Sequence, residues 1–140
     1  MTTEIHGVIS ELEAAMRTGD AKAVVALYTP DAVQYNLAPP LRHTAEEVHD
    51  ADALQAWFDG FGGSVGFEVH ELTVTAGDDV AFAYSLNKMY DPSLEGRFEL
   101  WHRATYCLVR AGGRWLLAHD HTSVPFHMDG TYAAATDLQP

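Results

Sequence analysis

The chain has 140 residues and a mass of 15.4 kDa, room for a single domain over residues 1–140 and not for two. Twenty acidic side chains against eight basic ones leave a formal charge of −12, which repels phosphate backbones and makes nucleic acid and anionic membranes poor partners. With 47% apolar and 20% charged residues the composition is that of a globular chain. No apolar run approaches the ~18 residues of a membrane span.

Met1 to Gly7 lacks a basic region followed by an apolar stretch, so we expect no secretory leader and a cytoplasmic protein. The single cysteine, Cys107, excludes an internal disulfide and a cysteine-only metal cage.

Ile5, Val8, Ile9, Leu12 and Met16 fall on one stripe at the helical period, with Thr3 as a cap and Gly19 placed for a left-handed terminator. Asp20 then caps a short helix with Val24, Val25, Leu27 and Tyr28 on its apolar side, stopped by Pro30. Ala32 to Leu37 reads as a strand leading to Pro39-Pro40. Thr44 and Glu47 have capping-box spacing, opening a third helical stretch with a break near Asp50. It continues through Leu54, Trp57, Phe58 and Phe61 to Gly62-Gly63.

From Val65 the period changes to two, and four long strands are expected at about 65–76, 79–90, 97–110 and 114–124. In the first of them Val65, Phe67 and Val69 share one face, whereas Leu72, Val74 and Ala76 fall on the other. That phase slip at His70-Glu71 predicts a β-bulge. Helices followed by long bent strands give an α+β class: a cone-shaped, curved antiparallel sheet wrapped around three N-terminal helices. Residues 126–140 read as a tail with a short turn or helix at Thr131–Ala135.

Arg110-Ala-Gly-Gly-Arg114 fits a three-residue hairpin loop with Gly113 left-handed. One face then pairs Leu108 with Leu116, Tyr106 with Ala118, Ala104 with Asp120 and His102 with Thr122. A two-residue Gly-Gly turn would shift the register by one and bring Arg103 close to Asp120. In both registers Asp120 and Thr122 face away from His119, His121 and Ser123.

The small Ala104 and Ala118 leave volume beside Asp120, His102, Tyr106 and Thr122. A carboxylate there would be desolvated and its pKa raised, as a general acid/base pocket requires. The alternative is a carboxylate tied to a buried arginine or histidine for structure alone. The His119/His121 pair on the opposite face lacks a third ligand, since His102 points the other way, so no metal is expected. Trp57, Phe58 and Phe61 could floor an apolar cavity, and Asn36 could point into it. Gly60–Gly63 lacks the spacing and setting of a phosphate loop, and Ser123 lacks a nucleophile elbow. No cofactor motif is present, and none is expected.

Four segments resemble the nuclear transport factor 2-like superfamily, in its SnoaL-like, ketosteroid-isomerase-like branch. They are Ala26-Leu-Tyr-Thr-Pro-Asp-Ala-Val33, Ala38-Pro-Pro-Leu41, Leu100-Trp-His-Arg-Ala-Thr105 and Gly113-Arg-Trp-Leu-Leu-Ala-His-Asp-His-Thr-Ser-Val-Pro-Phe126. With the order of elements, the likeness covers nearly the whole chain. It implies a cone with an internal pocket, frequent dimers, and members that are isomerases, cyclases, dehydratases, epoxide hydrolases or non-enzymatic binding domains.

Aligned on that family, Asn36 stands at the steroid isomerases' catalytic aspartate and Leu12 at their oxyanion-hole tyrosine. An amide cannot abstract a proton and leucine cannot donate to an enolate, so standard steroid isomerisation is not expected. The related oligomerising domain of a calmodulin-dependent kinase lines its pocket from positions matching Tyr106 and Thr122.

Together these readings predict a small-molecule pocket protein using general acid/base chemistry of isomerase, cyclase or dehydratase type on an apolar carbonyl compound. Asp120 would be the base, His102 and Tyr106 the oxyanion donors. Asn36, Thr122, Trp57, Phe58 and Phe61 would contact the substrate. The alternative is a non-catalytic ligand-binding or assembly module on the same frame. A hydrophobic small molecule is the expected ligand and a homodimer the expected assembly, because both faces of the 97–110 strand carry large apolar groups and the helices can cover only one.

Overall fold

Three of the four helices begin at the caps their sequences carry in the computed structural model, which describes residues 2–93 and 98–140; the first starts at Thr2, so Thr3 lies within it and does not cap it. Helix α1 (Thr2–Thr18) buries Ile5, Ile9, Leu12 and Ala15 on one stripe. The Asp20 carboxylate accepts from the Ala23 N–H to start α2 (Ala21–Val25). Thr44 and Glu47 close a capping box on α3 (Ala45–Val48), and Asp50 caps α4 (Ala51–Asp59). The third helical stretch is therefore two short helices, divided where the break was expected.

Five strands follow the order β1-β5-β4-β3-β2 in one open sheet: β1 (Tyr28–Tyr35), β2 (Gly66–Ala76), β3 (Val80–Tyr90), β4 (Glu99–Ala111) and β5 (Arg114–Ser123). Four run antiparallel, but β1 lies parallel to β5 at the edge, so the sheet is mixed. The helices pack on its concave face, over Ala81, Ala83, Ala104, Tyr106, Leu108 and Leu117. The expected start of the 97–110 strand at residue 97 lies outside the described residues. No helix among the described residues is long and apolar enough to cross a membrane.

Several expectations need correction. The first strand starts at Tyr28, not Ala32: α2 stops at Val25, and Pro30 sits within β1 instead of ending a helix. An edge strand tolerates this proline because its ladder to β5 is interrupted between Tyr28 and Val33. In the last hairpin, Ala111 pairs with Arg114 across Gly112-Gly113, whose φ values are +58° and +78°. Both glycines are left-handed, so the loop is a two-residue turn that matches strand twist, not the three-residue loop.

The register near this turn pairs Leu108 with Leu117, and a bulge then leaves Ala118 without a partner. Beyond it Tyr106 faces Asp120, Ala104 faces Thr122, and the exposed Arg103 pairs with Ser123, away from Asp120. The tail turns at residues 128–131 and forms no helix; Phe126 bridges Ala134, and Ala135 is buried.

The bulge in β2 falls where the phase slip put it. Its register shifts between His70 and Thr73, and Glu71 adopts φ +54°. This bends β2 around α1, whose Glu13 carboxylate accepts from the Val69 N–H at 2.7 Å.

Gly19 is the tightest backbone junction. It ends α1 at φ +68°, and a Cβ there would lie 1.8 Å from the Gly63 carbonyl oxygen. Gly19→Ala combines left-handed strain with a backbone clash, so it should cost at least about 2 kcal/mol. Chemical denaturation compared with Gly62→Ala, which meets no such clash, checks this.

Candidate functional site

Between the helices and the sheet lies a cavity of about 460 Å³. Its walls come from Leu12, Val24, Leu54, Trp57, Phe67 and Met89, and its polar floor from Tyr28, Gln34, Asn87, His102, Tyr106, Asp120 and Thr122. Cavities of this size, apolar with a few convergent polar groups, are the usual form of small-molecule sites.

Asp120 is 5% exposed and sits mid-strand on β5, on the concave face. The Tyr28 hydroxyl donates to its Oδ2 at 2.5 Å, and the Gln34 Nε2 donates to the same oxygen at 3.3 Å. Both donors come from β1, where parallel pairing sets Gln34 against Asp120. Among the described residues no donor reaches Oδ1. Burial pushes the carboxyl above its ordinary value, partly offset by the hydrogen bonds from Tyr28 and Gln34. Burial and the facing Asp120 charge raise the Tyr28 hydroxyl well above its own ordinary value, so it remains a proton donor.

Tyr106 lies directly across from Asp120 on β4. Its hydroxyl accepts from Asn87 Nδ2 at 2.9 Å, and burial holds its pKa at about 12. Asn87 is fully buried, and its Oδ1 accepts from the Ser85 hydroxyl at 2.7 Å. His102 faces Asn87 across the β3–β4 ladder, with its ring beside Phe67. Burial lowers His102 to about 4, and its Nδ1 is the buried side-chain polar atom left without a partner among the described residues. The imidazole is therefore neutral at pH 7.

Not every expected site residue meets this floor. Asn36 lines the cavity, but its Oδ1 accepts from the Ala38 N–H in a tight turn of the loop after β1. Trp57 lines the cavity as well. Phe58 is fully buried in the helix–sheet core, and Phe61 stacks on Trp57 and Phe98, so neither reaches the cavity wall. Successive α4 positions point to different sides, which a shared aromatic composition conceals. Ala118, expected to open space on the concave face, is the bulge residue, and Leu117 takes the inward position.

Four polar neighbours escaped the sequence reading: Tyr28, Gln34, Ser85 and Asn87. Tyr28 continues the helical stripe of Val24 and Leu27 in sequence, which conceals its place in β1. Asn87 carried a usable signal, since Ala81, Ala83, Ser85 and Asn87 alternate as one small and polar face along β3.

On the convex face, His119 Nδ1 donates to the Val33 carbonyl at 2.6 Å, and both His119 and His121 pack edge-on against Tyr35. No group of three or more metal-capable side chains occurs among the described residues.

The fold recurs widely among solved structures. A nuclear transport factor 2-like protein of unknown function from Pseudomonas putida is 30% identical, with 99% of this chain and 95% of that one covered at a TM-score of 0.87. A nuclear transport factor 2-like protein with a cystatin-like fold from Novosphingobium aromaticivorans is 17% identical, covering 99% of this chain and 89% of that one at a TM-score of 0.73. A ketosteroid isomerase-like protein from Erwinia carotovora is 22% identical, covering 86% and 93% at 0.65. No curated protein matches. Residues 5–127 match the model of the SnoaL-like domain, and the chain belongs to that family.

Proposed function

We propose that the chain is a small-molecule catalyst of isomerase, cyclase or dehydratase type, acting on an apolar carbonyl compound with Asp120 as its general base. The observation that carries this is a buried carboxylate on the floor of a roughly 460 Å³ cavity, with Oδ2 held by two donors and Oδ1 left over. Oδ1 takes a proton from the carbon next to the carbonyl, and the C–H electron pair moves to the carbonyl oxygen as an enolate. Tyr106 and the neutral His102 donate hydrogen bonds to that oxygen. Asp120 then returns the proton to another carbon, or the enolate expels a leaving group. Trp57, Phe67 and Leu54 exclude water and strengthen each of these contacts. Tyr28 acts through Asp120 as a positioning residue.

A non-catalytic binding module on the same frame is the second reading. Leu12 lines the cavity and the Asn36 amide is engaged in its own turn, at the two positions where the resemblance would put a donor and a base. Exchange of the methyl protons of 2-acetylnaphthalene for deuterium, followed by NMR, separates the two. Catalysed exchange that falls at least a hundredfold in Asp120→Asn supports the base; binding without exchange selects the module. In Tyr28→Phe the carboxylate loses a stabilising donor, so the pH midpoint of exchange should move upward.

The pH dependence of stability separates the two buried groups. Asp120 has a raised folded pKa, so its contribution is lost as pH rises from 3.8 through the folded value. Asp120→Asn should therefore melt within a few degrees of the parent at pH 7 or above it, the difference narrowing in acid. His102 has a lowered folded pKa, so stability falls as pH drops from 6.5 toward about 4, a contribution of about 3 kcal/mol when complete. His102→Leu should move the acid-unfolding midpoint to lower pH, measured by circular dichroism.

We also propose that a second copy covers the convex face. Val80, Phe82 and Tyr84 are 63%, 48% and 50% exposed there, in a row along β3 flanked by Cys107 and Val109 of β4. Trp101 and Arg103, further along the same face of β4, flank a small recess with Leu138 and Pro140 of the tail. Light scattering at micromolar concentration should give twice 15.4 kDa for the parent and the single mass for Phe82→Lys.

A further inference from the structure

We propose that the cavity selects an uncharged ligand whose single acceptor oxygen seats on Tyr106, with Asn87 and Ser85 fixing that hydroxyl as a one-way donor. This rests on the reading of the cavity as a carbonyl site and adds the ligand's charge and the seat of its oxygen.

The hydrogen bonds have a direction. Ser85 donates to the Asn87 carbonyl oxygen, and the Asn87 amide donates to the Tyr106 oxygen. A phenol accepts one such bond well and has one proton to give. With its oxygen already engaged by Asn87, Tyr106 has one proton to give: the Ser85 hydroxyl lies within its reach, and a ligand oxygen in the cavity competes for that proton. The chain runs along the concave face from β3 to β4, with Asn87 fully buried and Ser85 5% exposed. Such a chain polarises its last hydroxyl, and no solvent competes for Asn87.

Tyr106 and Asp120 are cross-strand partners, so their side chains leave the sheet together on one face. A carbonyl oxygen on Tyr106 thus brings the adjacent carbon toward Asp120.

Charge supplies the other half. No lysine or arginine is among the described residues that line the cavity, whereas Glu47, Asp50 and Asp120 are. Of the two histidines in the lining, His43 is paired with Glu47 at 3.2 Å and reaches the Ala38 carbonyl with its other nitrogen, and His102 is neutral. A carboxylate or phosphate entering here would lose its hydration, meet no lysine or arginine, find His43 already engaged by Glu47 and Ala38, and face the Asp120 charge. A neutral ketone loses little and gains the Tyr106 hydrogen bond.

The test uses one ring skeleton in three forms: 2-acetylnaphthalene, 2-ethylnaphthalene and 2-naphthoate. Fluorescence titration of the full chain at pH 7.5 should find the ketone bound about fivefold to tenfold more tightly than the hydrocarbon, and the naphthoate at least tenfold more weakly than the ketone. The infrared C=O stretch of carbonyl-labelled ketone should move to lower frequency on binding. Tyr106→Phe should remove most of that shift and of the ketone's advantage, the remainder falling to the His102 hydrogen bond, while leaving ethylnaphthalene affinity unchanged.

Asn87→Leu and Ser85→Ala should reduce the shift in that order. Ser85→Ala keeps the assay informative should a leucine at the fully buried position 87 impair folding. Naphthoate binding as tightly as ketone, ketone binding no tighter than hydrocarbon, or a shift undiminished in Tyr106→Phe would overturn the proposal. None of these readouts needs turnover. Selective binding without proton exchange would retain this inference and remove the catalytic one.

Discussion

One extra residue in β5 decides what the concave face of the sheet presents. Leu117 and Asp120 both point inward although three positions separate them, because Ala118 is bulged out between the partners of Leu108 and Cys107. In an unbroken strand the face that holds Leu117 would go on to hold His119 and His121, and Asp120 would turn to the convex side. The bulge lets one strand serve two ends of the same face: Trp115 and Leu117 join the helix–sheet core, while Asp120 and Thr122 line the cavity. The parallel edge strand depends on the same shift. Leu117 donates its N–H to the Leu27 carbonyl, and past the bulge the pairing sets Gln34 beside Asp120.

The polar floor is held against a desolvation cost, and its arrangement shows how that cost is limited. Asp120 receives two donors on one oxygen, enough to reduce the penalty of burial without saturating the carboxylate. His102 avoids the penalty by remaining neutral. Ser85, Asn87 and Tyr106 satisfy one another in sequence. A purely structural network tends to close on itself. Asp120 departs from that pattern, since both of its donors fall on Oδ2 and Oδ1 faces the cavity side without one among the described residues.

What could be seen in the sequence was whatever local rules decide. The caps at Asp20, Thr44 and Asp50, the terminating Gly19 and the bulge at His70-Glu71 all follow from neighbours within a few residues. Alternation along a single strand likewise put Asp120 and Thr122 on one face, apart from His119 and His121. The hairpin register was not legible, since Ala-Gly-Gly satisfies two turn types and the compensating bulge lies away from the turn. Tyr28 was misplaced because Leu27 and Tyr28 continue a helical stripe. Only pairing with β5, nearly ninety residues later, draws Tyr28 into a strand.

Phe58 and Phe61 show the same limit in a helix. Trp57 and Phe58 lie in α4 and Phe61 just past its end, and composition cannot say which side meets a cavity and which the core. The structure divides them by packing: Phe58 under the sheet, Phe61 against Phe98, Trp57 on the wall. The cavity persists because the positions that would have to fill it are small or committed. Ala83 and Ala104 carry too little volume, and Asn87, Tyr106 and Asp120 are each held by hydrogen bonds to their neighbours. Filling it with apolar side chains would be expected to raise stability, since packed apolar residues stabilise more than desolvated polar groups do. A chain that keeps a carboxylate and a neutral imidazole there gives up that stability, and a ligand making those missing contacts is what would restore it.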